Sequence, residues 1–273
     1  MVVPVIRRPS VAGYFYPADR AALAAAIRQA LPAKTETIAA TAVLVPHGGW
    51  AQTSAVMAET LGRIEIPKRC LLLGASHTGT RAHWSVMSAG AYETPLGEVS
   101  IDEQAVDALR RACPQLQVDD EAHVGEHSLE VVLPWLQTLG RAELQVVPVV
   151  AGSLDAASLG VMADGIAGVL RHSTGSTLII MSSDLSHYLA QERARAEDES
   201  LLACIARLDG AGLLSQVDAR QLVMCGDGAV ACGLEVAARL GAGRAVQVAY
   251  RTSAETGGDP QAVIGYAGVI IHH

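Results

Sequence analysis

Short unbroken apolar runs alternate with amphipathic stretches along nearly the whole chain. An apolar run bounded by polar or glycine residues reads as a strand buried on both faces. Apolar positions recurring every three or four residues read as a helix. On this basis strands are predicted at about Thr41 to Pro46, Arg69 to Gly74, Trp84 to Ala89, Leu144 to Val150 and Leu178 to Met181. Gly97 to Ile101 alternates and is expected at a sheet edge, and Pro148 suggests a bulge or an edge in its own strand. Helices are predicted at Asp19 to Leu31, Gln52 to Leu61, from an Asp102 cap to Ala112, Ser128 to Leu139 with a kink at Pro134, Leu154 to Arg171, Glu192 to Leu208, and from the Cys225 turn to Leu240. Gly210 to Gln216 reads as a short helical turn. Residues 1–17 read as an irregular arm, and Pro114 to Gly125 as a polar loop. The last two strands, Val246 to Tyr250 and Val263 to Ile271, are close in sequence and expected to be antiparallel. Strands and helices alternate with no linker. The pattern therefore predicts one α/β domain over residues 1–273, with a mostly parallel central sheet and helices on both faces.

Three of the apolar runs end in a histidine motif. Val43-Leu44-Val45-Pro46 leads into His47-Gly48-Gly49, and Leu71-Leu72-Leu73-Gly74 into Ala75-Ser76-His77. Leu178-Ile179-Ile180-Met181 leads into Ser182-Ser183-Asp184-Leu185-Ser186-His187. In open α/β sheets the chemistry sits just beyond the carboxyl ends of the strands. Asp184 and His187, three apart, can face one site, the carboxylate orienting a ring N–H or acting as a base. Two further motifs join them. His123-Val124-Gly125-Glu126-His127 places two histidines four apart, with His127 the better candidate for the site, His123 a loop residue, and Glu126 or His127 a helix cap. Met224-Cys225-Gly226-Asp227-Gly228 puts a thiol at a helix amino terminus, where unsatisfied N–H groups favour the thiolate.

Composition narrows the function. The chain has 273 residues, 50% of them hydrophobic and 4% aromatic, so its core is built mainly from Ala, Val, Leu and Ile. A formal net charge of −8 without a basic block argues against nucleic acid as a partner. The five cysteines are odd in number and form no CxxC, which suits a reducing compartment; Cys70, Cys113, Cys204 and Cys232 read as core fillers. No signal-like or membrane-length apolar run is present, so a cytoplasmic protein is expected. Neither GxGxxG, GxxxxGK[ST] nor HExxH occurs, which argues against nucleotide-loop and zinc-protease chemistry. Several histidines, a carboxylate and a thiol form a plausible transition-metal set. Two His and one anionic ligand with open positions suit non-haem iron(II), and the same donors accept zinc or copper.

The segments RRPSVAGYFYP at 7–17, VPHGGW at 45–50, GASHTG at 74–79, ETPLGEV at 93–99, EHSLEVVLPWLQ at 126–137, SSDLSHY at 182–188, MCGDGAV at 224–230 and GYAGV at 265–269 together resemble the Memo family. Bacterial members are also called AmmeMemoRadiSam system protein B. Members more often carry PHAGY and GPSH, so Gly49, Trp50 and Ala75 are departures that spare the histidines. The resemblance implies a fold similar to class III extradiol ring-cleaving dioxygenases, which hold iron(II) with two His and a Glu. It implies His47 and His77 as paired metal ligands, and Cys225 where those enzymes place the glutamate. It further implies His187 as an acid/base group or third ligand. The leading expectation is a dioxygenase-like oxidoreductase acting on a small molecule. There His47, His77 and Cys225 hold iron(II), with copper or zinc as alternatives, Asp184 orients His187, and His127 stands behind the ligands. Competing readings are a non-enzymatic module binding a peptide or protein through the same pocket, motivated by Tyr14-Phe15-Tyr16, and a hydrolase with Cys225 as nucleophile.

Overall fold

Val43, Leu44, Leu71, Leu72, Leu73, Ile179 and Ile180 are all withdrawn from water, and their strands occupy the middle of the sheet. Each carries large aliphatic side chains on both faces, so it must be covered on both. In the computed structural model, which describes residues 5–32, 36–79, 82–152 and 156–273, helices provide that cover. The first half contains β1 (Ile6–Arg7), α1 (Arg20–Ala30), β2 (Ala42–Val45), α2 (Trp50–Leu61), β3 (Arg69–Ala75), β4 (Trp84–Val86), β5 (Ala91–Thr94), β6 (Gly97–Ile101) and α3 (Glu103–Ala112). Then come β7 (Leu116–Val118), α4 (Glu121–Val124), α5 (Leu133–Leu139), β8 (Gln145–Ala151), α6 (Ala156–His172) and β9 (Thr177–Ser182). The last part holds β10 (His187–Leu189), α7 (Gln191–Ala206), α8 (Gly210–Arg220), α9 (Asp227–Arg239), β11 (Arg244–Thr252) and β12 (Val263–His272). Leu154 and Asp155, expected to open α6, lie outside the described residues, as do residues 1–4 of the arm and 33–35 of the link to β2.

The central strands run β6-β8-β3-β9-β2, mutually parallel, flanked by antiparallel β5 on one side and antiparallel β12 on the other. β11 and β12 form the expected antiparallel pair. The result is an α/β fold with a mostly parallel mixed sheet, as the sequence pattern predicted. Neighbouring residues show the two covered faces. A Cβ at Gly74 would stand 2.5 Å from Leu129, whereas Leu73 lies 3.6 Å from the position of a Cβ at Gly233 of α9. Thus α9 covers one face and the 128–139 segment the other.

Several expectations are corrected. The strand at Gly97 to Ile101 is not at an edge, because it lies between β5 and β8. Pro148 is not in an edge strand either: it is in register with Leu72 of β3. On its other side β6 pairs as far as Val146 and β4 from Val149, so the proline falls in the gap, where a missing N–H costs little. The strand expected to reach Ala89 stops at Val86, and the chain re-enters the sheet as β5. The loop expected at Pro114 to Gly125 contains β7 and α4. The helix expected from Ser128 begins as a 3-10 turn at Glu130–Val132, and α5 starts at Leu133. Pro134 then lies in the first turn, where its missing N–H is harmless, and it kinks nothing. α8 extends to Arg220 rather than stopping near Gln216. Asp102 caps α3 as expected, accepting from the N–H of Ala105 at 3.0 Å.

The arm is not merely irregular. Ile6 and Arg7 add a parallel strand to β5. The Arg7 guanidinium, buried with its partner, pairs with Glu130 and donates to the carbonyl oxygens of His123 (2.9 Å) and Glu126. Glu130 also accepts from Ser10 N (2.8 Å), Val11 N (3.0 Å) and the Tyr16 hydroxyl (2.6 Å). His123 is no loop residue: it is fully buried in α4, with Nδ1 2.7 Å from the Tyr92 hydroxyl. Burial, aided by the nearby Arg7 charge, lowers its pKa to about 4.

Two predictions follow from this network. Removing one partner of a buried ion pair strands the other charge, at a cost of about 3–5 kcal/mol. Arg7→Ala and Glu130→Ala should each lose that much in urea denaturation, and the double variant should lose clearly less than the sum. The second concerns acid. An unfolded histidine, with a pKa of about 6.5, binds a proton before folded His123 does, so folding stability falls as pH drops from about 6.5 towards about 4. His123→Gln should flatten that slope by roughly 3 kcal/mol across the window, read from urea midpoints at stepped pH.

Candidate metal centre

Parallel pairing aligns the strand ends that carry the histidine motifs. Val45 is opposite Ser182, and Leu73 opposite Met181, so β2, β9 and β3 finish at one edge. His47, two residues past β2, is 1% exposed. Its Nδ1 lies 3.0 Å from Ser182 Oγ, and its Nε2 lies 2.9 Å from Cys225 Sγ. His77, just beyond β3, stacks on His127 with ring centroids 4.4 Å apart, and His47 meets both edge-on at 5.1 and 5.6 Å. The Phe15 ring closes against His127 at 4.9 Å, so one aromatic of the arm forms a wall of the site.

Donor atoms of His47, His77 and His127 lie within 4.8 Å of one another, as do those of His47, Asp184 and Cys225. His47 belongs to both groups. His77 and Cys225, expected to act together, are thus linked through it. Several imidazoles, a carboxylate and a thiol clustered in this way form a chemically sound transition-metal site, so the donors present fit the expected ion.

Not every anticipated contact forms. Asp184 was expected to orient the His187 ring. Instead its Oδ1 accepts from the backbone N–H groups of His47 (2.9 Å) and Gly48 (3.2 Å), holding the turn after β2. The His187 ring is placed by backbone carbonyls, with Nδ1 2.8 Å from Leu185 O and 3.1 Å from Val223 O. His127 stands among the imidazoles rather than behind them.

Glu126, read from sequence as a cap, is buried between the histidines. Its Oε1 accepts from His77 Nδ1 (2.9 Å) and Ser128 N (2.8 Å), and its Oε2 accepts from the His77 backbone N–H. Ser182 and Ser128 were also unread: Ser182 Oγ donates to Ser128 O at 2.6 Å. The only trace of these residues in sequence is a charged Glu between two His and a serine-rich strand end.

Electrostatics follow from burial and neighbours. Burial lowers His47 to about 4, with Asp184 opposing and the other two imidazoles reinforcing. Burial likewise lowers His127, helped by His77. Burial would lower His77 too, but the hydrogen bond and charge of Glu126 outweigh it and leave its pKa raised. Burial would raise Glu126, yet His77 and the N–H groups of His77 and Ser128 hold it at about 2. Cys225 departs from expectation. Burial and then the Asp184 charge push its thiol well up, overriding any thiolate preference at the amino terminus of α9.

These features define an α/β protein with a histidine-rich, cysteine-containing side-chain cluster at the carboxyl edge of its parallel strands. The family model for "Memo-like protein" matches residues 7–270, and the chain belongs to that family. It is 36% identical over 266 residues to a MEMO1 family protein of Aquifex aeolicus, covering 97% of this chain and 98% of that one. A MEMO1 family protein of Methanopyrus kandleri is 32% identical over 277 residues, with 97% and 98% covered. One from Methanobrevibacter smithii is 33% identical over 281 residues, with 97% and 99% covered.

The raised thiol predicts slow chemistry at Cys225 without metal. Iodoacetamide at pH 7 should alkylate it at least about tenfold more slowly than a free thiol, as quantified by mass spectrometry. The turn before α9 is equally constrained. A Cβ at Gly226 would lie 2.6 Å from both Ser182 O and Ser183 Cβ. Gly226→Ala should therefore cost about 1–3 kcal/mol by urea denaturation and speed alkylation of Cys225 as the turn is pushed off β9.

Proposed function

We propose that this protein is a metal-dependent oxidoreductase of the dioxygenase-like class, acting on a small molecule, with iron(II) as the resident ion. The observation that carries the reading is the convergence of donors from His47, His77, His127, Asp184 and Cys225 on one strand edge, with His47 common to both groups. His47 and His77 are the imidazole ligands in this reading, and Cys225 is the anionic one. When bound, iron(II) supplies electron-transfer chemistry that none of the side chains offers. The chain's own residues hold and shape the pocket. Asp184 fixes the backbone of His47, and Glu126 fixes His77. His187, its Nδ1 turned to backbone carbonyls, presents Nε2 as a proton acceptor, and His127 is a second base, its pKa lowered by burial. Copper or zinc would be accepted by the same donors. A net charge of −8 supports a small or peptide substrate over nucleic acid. Five unpaired cysteines support a reducing, cytoplasmic setting, and among the described residues no helix is long and apolar enough to cross a membrane.

One observation favours a second reading, a peptide-binding module. Tyr14 is 89% exposed beside a groove of about 410 Å³ that Phe15, Tyr16 and Trp50 also line. The hydrolase reading is not favoured, because a half-buried thiol with a raised pKa is a poor nucleophile.

Anaerobic iron(II) titration of the wild type and of the His47→Ala/His77→Ala double variant tests the proposal. Saturable binding at one site, lost in the variant, is expected, and equal binding by both overturns it. Bound metal should also slow Cys225 alkylation, with EDTA restoring the original rate. An unchanged rate at saturating metal removes Cys225 from the ligand set.

A further inference from the structure

We infer that Glu126 and Ser182 are positioning residues that lock His77 and His47 in one tautomer, with the proton on Nδ1 and the Nε2 lone pair turned into the pocket. The inference rests on the metal-centre reading for its purpose, but its geometry stands independently.

The argument is a count of hydrogens. Ser182 has one hydroxyl proton. It lies 2.6 Å from the carbonyl oxygen of Ser128, which can only accept, so the proton is committed there. Ser182 Oγ can then only accept from His47 Nδ1 at 3.0 Å, and that nitrogen must carry a hydrogen. In the neutral ring Nε2 is left bare, 2.9 Å from Cys225 Sγ, where it accepts from the thiol.

The same count settles His77. The three contacts to Glu126 are N–H donors aimed at carboxylate oxygens: His77 Nδ1 and Ser128 N to Oε1, and His77 N to Oε2. An ionised carboxylate has no hydrogen to give, so Nδ1 is the donor and, in the neutral ring, Nε2 is again bare.

The two locks are one assembly. Ser128 supplies both the carbonyl that commits Ser182 and an N–H that binds Glu126. Its own hydroxyl donates to the carbonyl of Ala75 at 2.9 Å, tying the loop to the end of β3. One residue therefore sets the protonation pattern of imidazoles that follow two different strands. A metal ligand whose far nitrogen is held this way is both oriented and made more basic, and loss of such a partner commonly costs about 10–100-fold in affinity.

The test is a long-range proton–nitrogen NMR correlation on the metal-free, nitrogen-15-labelled full chain, at a pH where its imidazoles are neutral. His47 and His77 should each show a protonated Nδ1 and a bare Nε2. A proton on Nε2 of either ring overturns the lock for that ring, and no variant is needed to see it. Ser182→Ala should turn His47 into a tautomer mixture while leaving His77 locked. Glu126→Gln should do the reverse, because its amide cannot accept from all three donors. Each variant should weaken iron(II) binding by about 10–100-fold. A variant that stays folded, keeps the wild-type tautomers and loses nothing in affinity refutes the role of that residue. Correct tautomers in a wild type that binds no metal would sink the metal reading and leave the lock standing. Tight metal binding with reversed tautomers would do the opposite.

Discussion

Burial of the Arg7 guanidinium constrains the rest of the site. A cation without water must be matched on every side. Here the matching groups are the Glu130 carboxylate and the carbonyl oxygens of His123 and Glu126. Those partners lie on the segment that carries Glu126, His127 and Ser128. The arm and the site loop are therefore set together, although more than a hundred residues separate them. Glu130 extends the arrangement through Ser10, Val11 and Tyr16, and Phe15 is thereby brought against His127. The aromatic arm both packs and forms a wall: Tyr16 is buried at the root, Phe15 closes the pocket and Tyr14 stays in solvent.

Around the pocket, charge is balanced between groups that burial discharges and groups that neighbours keep charged. His47 and His127 are held towards neutrality, the state in which an imidazole binds metal. Glu126 remains ionised because three N–H groups converge on it, and His77 gains basicity in return. Asp184 keeps its carboxylate close to the thiol, which raises the thiol further. Burial and the Asp184 carboxylate therefore keep Cys225 in its thiol form in the metal-free protein.

Trp50 and Ala75 are both built into the scaffold around the site. Trp50 opens α2, donates its backbone N–H to Phe15 O at 2.8 Å and its indole N–H to Val131 O at 3.3 Å. Its ring packs on Tyr16 and Trp135. It therefore ties the arm to the core and lines the groove under Tyr14. Ala75 is buried, with its carbonyl engaged by Ser128 Oγ. Neither residue displaces a donor from the cluster.

The pattern of apolar and polar positions is enough to specify the parallel core, the antiparallel closing pair, and five motifs that could carry chemistry. Apolar runs such as 71–73 and 178–181 are local signals, and burial on both faces leaves them one reading. Family likeness, spread from residue 7 to residue 269, supplied the expected ligands. The shortest strands were not legible, because β1, β7 and β10 have two or three residues each and owe their state to a partner distant in the chain. The inner place of Pro148 depended likewise on where β6 ends and β4 begins. That Asp184 serves the His47 backbone rather than the His187 ring emerges from the folded chain alone. It alone showed that His127 joins the imidazoles and that Glu126, Ser128 and Ser182 set their orientation. Such roles are relations between side chains brought together from distant segments, and no local pattern encodes the direction of a hydrogen bond across them.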